Sequence, residues 1–337
     1  MTMVNGRLAF GPGVLAIDAA AVARDIEQSI VRLVGRSLNR RGVVVGVSGG
    51  VDSAVCATLV ARALGPDRVL ALMMPEAGIS DDGTRRAQNL CARLGLQPLT
   101  EDITAALTGL GCYRRRDAAI RRVFPDYQTD WKHKIALAGG LMDEDRVSYF
   151  NLTVELASGE RRTVRMPVEI YLEVVAATNM KQRVRKLIEY HHAERLNYAV
   201  IGTPNRLEYE LGFFVRGGDG LADLKPIAHL YKTQVYALAE FLGVPEDIRS
   251  QPPSTDTYSL DQTQEEFYFG LPFDRLDRLL WAFDHAVELT EAARPEGLTS
   301  EQVERVYRDI ARKRRVAARS LRDALLIEPV DMVTEAP

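Results

Sequence analysis

Two hydroxyls, a carboxylate and two adjacent glycines fall within the six-residue segment SGGVDS, Ser48 to Ser53. The hydrophobic run GVVVGV (42–47) precedes it, and an apolar, helix-forming run reaching Leu64 follows. A glycine turn between a strand and a helix presents unpaired backbone N–H groups, and the helix dipole adds to their attraction for an anion. The chemistry this suits is phosphate binding, with Gly46, Ser48, Gly49, Gly50 and Ser53 as the candidate cradle. The spacing is that of neither common phosphate loop. No Lys follows the glycines as in GxxxxGK[ST], and the GxGxxG order is absent. Asp52 is the odd member, because a carboxylate repels a phosphate unless a cation lies between them. A tight turn with Asp52 or Ser53 as a helix cap is the plain alternative.

Three later segments carry further candidates. TNMKQRVRK places Lys181, Arg183 and Arg185 close together after Asn179. IGTPNRLEYELGFFVRGGDGLADLKP holds Thr203, Glu208, Asp219 and Asp223, with Lys225 and Lys232 close behind. QPPSTDTYSLDQTQEE supplies Ser254 and a run of acids and amides. Each has a bland reading by itself: a solvated basic helix face, a surface turn, and side chains that cap a loop.

Bringing such groups together requires elements that end at one edge. Residues 15–36 recur apolar at helical spacing. The strand at 42–47 is followed by a helix over about 52–64, a strand at 68–75, a helix at 80–95 with Ser80 as N-cap, and a third strand or edge within 97–103. This alternation argues for an α/β fold, an open and mainly parallel sheet with helices on both faces, binding its ligand beyond the carboxyl ends of the strands. The section 111–145 reads as an irregular connection or short helices. The next stretch, 148–174, holds two strand-like runs joined by ASGE, giving an added β-hairpin at 148–170. A helix is expected over 177–197, with Thr178 or Asn179 near its cap, then a strand running into a loop at 198–205. From 225 the pattern is mainly helical and ends in a helix over 300–326, with room for one break. The expectation is a single α/β domain over 1–337, its core at 15–285 and a helical extension at 286–337.

Composition sets outer bounds. With 43 basic against 46 acidic residues and a net charge of −3, nothing requires a nucleic-acid partner. Cys56, Cys91 and Cys112 share no metal-site spacing and are odd in number, as expected of a reducing, cytoplasmic setting. The start MTMVNGRLAFGPGVLAID lacks the basic end and long apolar run expected of a signal peptide, and no run reaches the roughly 18 apolar residues of a membrane span.

In order and spacing, SGGVDS (48–53), NMKQRVR (179–185), IGTPNRLE (201–208), FFVRGGDGLADLKPIAHLYKTQV (213–235), PPSTD (252–256) and DQTQEE (261–266) resemble the ammonia-dependent NAD synthetases. These belong to the adenine-nucleotide α-hydrolase-like superfamily of ATP pyrophosphatases. The loop alone fits tRNA-modifying thiolases, argininosuccinate synthetases and GMP synthetases equally well, and the later segments favour the NAD synthetase branch. The resemblance covers about residues 25–285. It implies that a carboxylate attacks the α-phosphorus of ATP to give an acyl adenylate and pyrophosphate, and that ammonia then displaces AMP. It implies roles as well. Ser48, Gly49, Gly50 and Ser53 cradle pyrophosphate, with Gly46, Arg183 and Thr203 in the ATP site. Asp52 and Glu208 hold Mg²⁺, while Lys232 and Ser254 contact phosphates, so that Asp52, Lys232 and Ser254 serve catalysis. Asn179, Lys181, Glu208, Asp219 and Asp223 face the acceptor, with deamido-NAD⁺ the first expectation. A homodimer is implied too. Glutamine-dependent relatives carry a nitrilase-type glutaminase domain that the 40 residues before the loop do not contain, so free ammonia or a separate glutaminase is expected to supply nitrogen.

The chain departs from the family where acceptor contacts are implied. SLNRR precedes the first strand without the usual aromatic, Pro204, Arg206 and Leu207 fill the loop after IGT, and ARKRRVAARSLR stands where a His-Lys-Arg and prolines are common. Two rivals follow: an amide ligase of the same family acting on another acid, and an inactive nucleotide-binding scaffold.

Overall fold

The computed structural model describes residues 3–4, 7–8, 10–78, 81–138, 149–254, 257–328 and 330. A short antiparallel pair, β1 (Met3–Val4) and β2 (Arg7–Leu8), opens the chain. The central sheet is built from β3 (Val43–Gly46), β4 (Val69–Met73), β5 (Leu99–Thr100) and β9 (Ala199–Ile201). Its order is β5-β4-β3-β9 and every pairing is parallel. Parallel strands covered on both faces need apolar residues on both sides, which explains VVVG and VLALM without alternation. The chain runs outward from β3 to β4 and β5, then returns to lay β9 on the other side of β3. The strand order therefore reverses between β3 and β9, and a crevice at their carboxyl ends is where such sheets bind ligands.

Helices α1 (Ala19–Arg32) and α2 (Val51–Leu64) cover one face together with α8 (Lys232–Phe241), around a core of Val43, Val45, Ala54, Leu59 and Val235. Asp18 caps α1 by accepting from the Ala21 amide at 3.0 Å, so the helix begins inside the expected 15–36. To the same core α3 (Asp82–Leu94) adds Ala87, Leu90 and Cys91, and the short helices α4 (Thr104–Gly109) and α5 (Cys112–Arg121) follow β5. The expected Ser80 cap lies outside the described residues.

Two expectations are corrected. The section 111–145 contains α5 and a regular strand, β6 (Lys132–Ala138). β7 (Tyr149–Glu155) and β8 (Arg161–Arg165) pair antiparallel as the expected hairpin, and β6 adds to β7 to make a sheet of three strands in the order β6-β7-β8. Residue 148 of the expected hairpin lies outside the described residues. Finally, α6 runs unbroken from Val168 to Leu196, so EIYLEV is helical and Thr178 and Asn179 are mid-helix. Its buried residues Ile170, Val174, Ala177, Lys181 and Val184 recur at three and four, a helical period, although β-branched and aromatic types favour a strand locally. The Thr178 hydroxyl bonds back to the Val174 carbonyl one turn earlier, as mid-helix hydroxyls do.

The remaining elements are α7 (Arg206–Leu211), α9 (Glu246–Arg249), α10 (Phe273–Asp284), α11 (Leu289–Glu296) and α12 (Ser300–Ser320). The last is one continuous helix, shorter than the expected 300–326, and packs with α7, α10 and α11 around Leu211, Leu279, Val303 and Ile310. Among the described residues no helix is long and apolar enough to cross a membrane.

Candidate active site

The SGGVDS turn closes on itself. The Ser53 hydroxyl donates to the Gly50 carbonyl at 3.0 Å and accepts from the Ser48 amide at 3.2 Å, and the Ser48 and Ser53 hydroxyls stand 3.1 Å apart. Gly50 is the cap residue of α2, and neither Asp52 nor Ser53 serves as one. Gly49 has a positive φ of 86°, and a Cβ there would lie 2.2 Å from the Gly83 carbonyl oxygen. Only glycine allows both the left-handed backbone and this approach to the start of α3.

Asp52, freed from capping, faces the crevice at the strand reversal. The loop after β9 begins α7 with Asn205 and Glu208 in a capping box. Asn205 Oδ1 accepts from the Glu208 amide at 3.2 Å, and Glu208 Oε2 accepts from the Asn205 amide at 3.0 Å. Asn205 Nδ2 then donates to Asp52 Oδ1 at 3.1 Å, so one side chain ties the two carboxylates together. Lys232, the first residue of α8, ion-pairs with the other oxygen of Asp52, its own side chain only 2 % exposed. Gln264 donates to Glu208 Oε1 at 2.9 Å.

The charges explain one another. Burial and the neighbouring Asp52 carboxylate hold Glu208 well above the ordinary carboxylate range, against the pull of Lys232. Burial disfavours the Lys232 ammonium, but Asp52 and then Glu208 outweigh it and raise its pKa. A divalent cation between the two acids would offset both the burial and their mutual repulsion, and so favour the ionised form of Glu208. Among the described residues no cluster of three or more His, Cys, Asp or Glu side chains could hold a metal. A two-carboxylate set suits Mg²⁺, which is commonly bound by one or two carboxylates with substrate phosphates and water. A cavity of about 370 Å³ opens beside Lys232, with Asn205 and Gln264 at its polar end and Pro252, Phe269 and Phe273 among its apolar walls.

The structure thus gathers Ser48, Gly49, Gly50, Asp52, Ser53, Glu208 and Lys232, with Gly46 at the end of β3 and Thr203 in the loop leaving β9. Ser254 is exposed and bridges to Thr263, beside the Gln264 that reaches Glu208. The other candidates make contacts away from this cluster. Asp219 accepts from the Val215 amide at 2.8 Å and closes the GGDG turn, while Asp223 accepts from the Val200 amide at 2.8 Å and from the Tyr190 hydroxyl. Arg183 is exposed and donates to the Arg216 carbonyl at 3.2 Å, with Asn179 half-buried on the preceding turn of α6. Lys181 is buried, with its ammonium on the Thr257 carbonyl at 2.8 Å and Glu76 at 3.1 Å. The sequence reading does not single out Asn205, Gln264 or Asp277, the last of which accepts from the Thr233 amide next to Lys232 at 2.7 Å. The N-x-x-E spacing of a capping box marks Asn205; Gln264 and Asp277 have no local signal.

A parallel α/β sheet with a glycine turn and an acid–lysine cluster at its switch point has the architecture of the adenine-nucleotide α-hydrolase-like class. The sequence matches the family model described as NAD synthase over residues 22–118 and 123–317. The chain belongs to the NAD synthase family. It is 51% identical over 317 residues to the NH(3)-dependent NAD(+) synthetase of Rhizobium rhizogenes, covering 94% of this chain and 95% of that protein. It is 49% identical over 329 residues to the protein of that name from Rhizobium meliloti, with 98% of each covered. The fold is shared with a chain described as NMN synthetase from Francisella tularensis, at a TM-score of 0.60 and 21% identity over 92% of this chain and 99% of that one. It is also shared with an NH3-dependent NAD synthetase from Campylobacter jejuni in complex with the nitrate ion, at 0.59 and 23% over 93% and 100%.

Proposed function

We propose that the protein forms the amide of deamido-NAD⁺ from ATP and ammonia, releasing AMP and pyrophosphate. The observation that carries this reading is the Asp52–Asn205–Glu208–Lys232 cluster beside the glycine turn, in a chain about half identical to relatives named NH(3)-dependent NAD(+) synthetases. An acceptor carboxylate oxygen attacks the α-phosphorus, the bond to pyrophosphate breaks, and an acyl adenylate forms. Ammonia then attacks the acyl carbon, AMP leaves with the electron pair of the C–O bond, and the nitrogen loses a proton. No protein nucleophile is needed.

The residues supply position and charge. The Gly49 and Gly50 amides and the Ser48 and Ser53 hydroxyls hold the departing phosphates, and Lys232 and Ser254 add donors. Asp52 and Glu208 would hold Mg²⁺, which when bound neutralises charge on the phosphates. Arg183 and Asn179, on the exposed side of α6, are assigned to the nucleotide and acceptor. A second copy of the chain is part of this reading, supported by Val168 and Leu172, which are 71% and 58% exposed one turn apart on α6.

The direct test incubates the purified chain with ATP, Mg²⁺, ammonium and deamido-NAD⁺. AMP and NAD⁺ should appear in equal amounts. AMP formed only with other carboxylic acids would move the acceptor elsewhere, and no AMP with any acid would leave a binding scaffold.

A further inference from the structure

The antiparallel sheet is separate from the phosphate turn, yet its free edge holds a segment that reaches the site. Among the described residues, strand β6 pairs in that sheet with β7 alone, and an edge strand leaves a row of backbone groups open. Successive residues alternate in direction, so alternate positions serve that edge. Here they are His133 and Ile135. The His133 amide donates to the Ser259 hydroxyl at 2.9 Å, its carbonyl accepts from the Leu260 amide at 3.1 Å, and the Ile135 carbonyl accepts from the Gln262 side chain. The His133 ring, 1% exposed, sets Nδ1 3.2 Å from the Ser259 hydroxyl and 3.3 Å from that of Tyr127. From α6, Lys181 donates to the Thr257 carbonyl at 2.8 Å, while Glu76, itself bonded by Tyr113 at 3.1 Å, anchors the ammonium.

The same run of chain ends in the acid–lysine cluster. The Gln264 amide donates to the Pro253 carbonyl at 2.9 Å, Ser254 bridges to Thr263, and the Gln264 side chain reaches Glu208. Between them, Thr257 bonds to α6, and Ser259, Leu260 and Gln262 bond to β6.

We propose that His133, Ser259 and Lys181 are positioning residues for the nucleotide: they fix residues 257–262 so that Ser254 and Gln264 are held at the Asp52–Glu208–Lys232 cluster before ATP arrives. This rests on the reading of that cluster as the ATP site. Ordering a loop costs conformational entropy. A loop ordered in advance by the accessory sheet removes that cost from binding, and a loosened one returns it.

The experiment compares wild type with Ser259→Ala, Ser259→Thr and Lys181→Met. It measures KM for ATP, acceptor and ammonium, kcat, melting without nucleotide, and calorimetric affinity for Mg²⁺ with a non-hydrolysable ATP analogue. Ser259→Ala and Lys181→Met should raise KM for ATP and weaken the analogue by about tenfold, the scale of one or two lost hydrogen bonds. KM for ammonium should stay within about twofold, and Ser259→Thr should restore ATP binding because it keeps the hydroxyl. Analogue affinity unchanged in folded variants would overturn the proposal, as would equal losses in every constant together with lower melting. Should Ser259→Ala or Lys181→Met fail to fold, Gln262→Met, which cuts only the Ile135 link, is judged by the same criteria. Analogue binding is read without turnover. A wild type that binds it but makes no NAD⁺ therefore fails the amidation reading and leaves the positioning result standing.

Discussion

Asn205 joins two carboxylates that would otherwise repel each other, and it does so with groups already used to start a helix. The cap is a device for stability, but the side-chain amide left over sets where Asp52 points. Two different losses are therefore expected at this cluster. Asp52→Asn and Glu208→Gln preserve shape and remove charge, so they should lower AMP formation by roughly 10²–10³-fold, the range seen when an electrostatic contact in a reaction site is removed. Glu208→Gln should change melting little, because burial already opposes that acid's charge, whereas Asp52→Asn should lower it by leaving the buried Lys232 ammonium without its partner. If both variants keep full turnover at limiting Mg²⁺, the metal role is wrong. Asn205→Ala should behave otherwise. It should cost about 0.5–2 kcal/mol of stability through the lost cap, and it should also raise the Mg²⁺ concentration needed for half-maximal activity. Chemical denaturation and a Mg²⁺ titration separate the two effects.

Lys232 is only as well placed as the helix that carries it, and α8 begins beside a second buried acid. Asp277 of α10 has no exposed surface, accepts from the Thr233 amide at 2.7 Å, and is pushed up to about 7 by burial, against the pull of those hydrogen bonds. Its folded pKa lies above its unfolded value, so the folded state binds the extra proton. Stability from this group is present at low pH and is lost as pH rises from about 4 to about 7. Asp277→Asn keeps an acceptor for Thr233 and removes the titration. Melting followed between pH 4 and 8 should show a smaller decline toward neutral pH in the variant, by up to about 1.4 kcal/mol for each pH unit; an unchanged slope would mean that Asp277 is ionised throughout. This link between α10 and α8 also marks where sequence reading stops. β3, β4 and the SGGVDS turn are legible because apolar runs, glycines and helix starts follow one another locally. Strand β6 is not, because Lys132, His133 and Lys134 look like a polar loop until the docked segment from Ser259 to Gln262 covers their edge. The beginning of α6 is obscured by Ile170, Tyr171 and Val174, whose types suit a strand and whose spacing suits a helix. Gln264 and Asp277 reach their partners from more than 40 residues away, and no local pattern records such a pairing.

Across the molecule, the three thiols bear on where the nitrogen comes from. A cysteine that takes an amide from glutamine must ionise readily, which requires a cationic or partly exposed setting. Cys56 sits in the core side of α2, where burial and then the Asp52 and Glu208 charges raise its pKa well above the ordinary thiol value. Cys91 is buried in α3 and pushed up to about 11, and Cys112 is raised chiefly by burial, although Lys181 and Arg116 pull the other way. The very charges that suit Asp52 and Glu208 to a cation disfavour a thiolate at Cys56. Each thiol is thus a small apolar core group, and nitrogen should come from ammonia itself. Supplied with ATP, Mg²⁺ and acceptor, the protein should place ¹⁵N from labelled ammonium in its amide product and none from amide-labelled glutamine. Replacing Cys56, Cys91 and Cys112 together by Ala should leave that incorporation in place, apart from packing losses that melting would register. Mass spectrometry of the product decides the matter: efficient transfer from glutamine that vanishes in the triple variant would make one of these buried thiols a nucleophile and overturn the assignment.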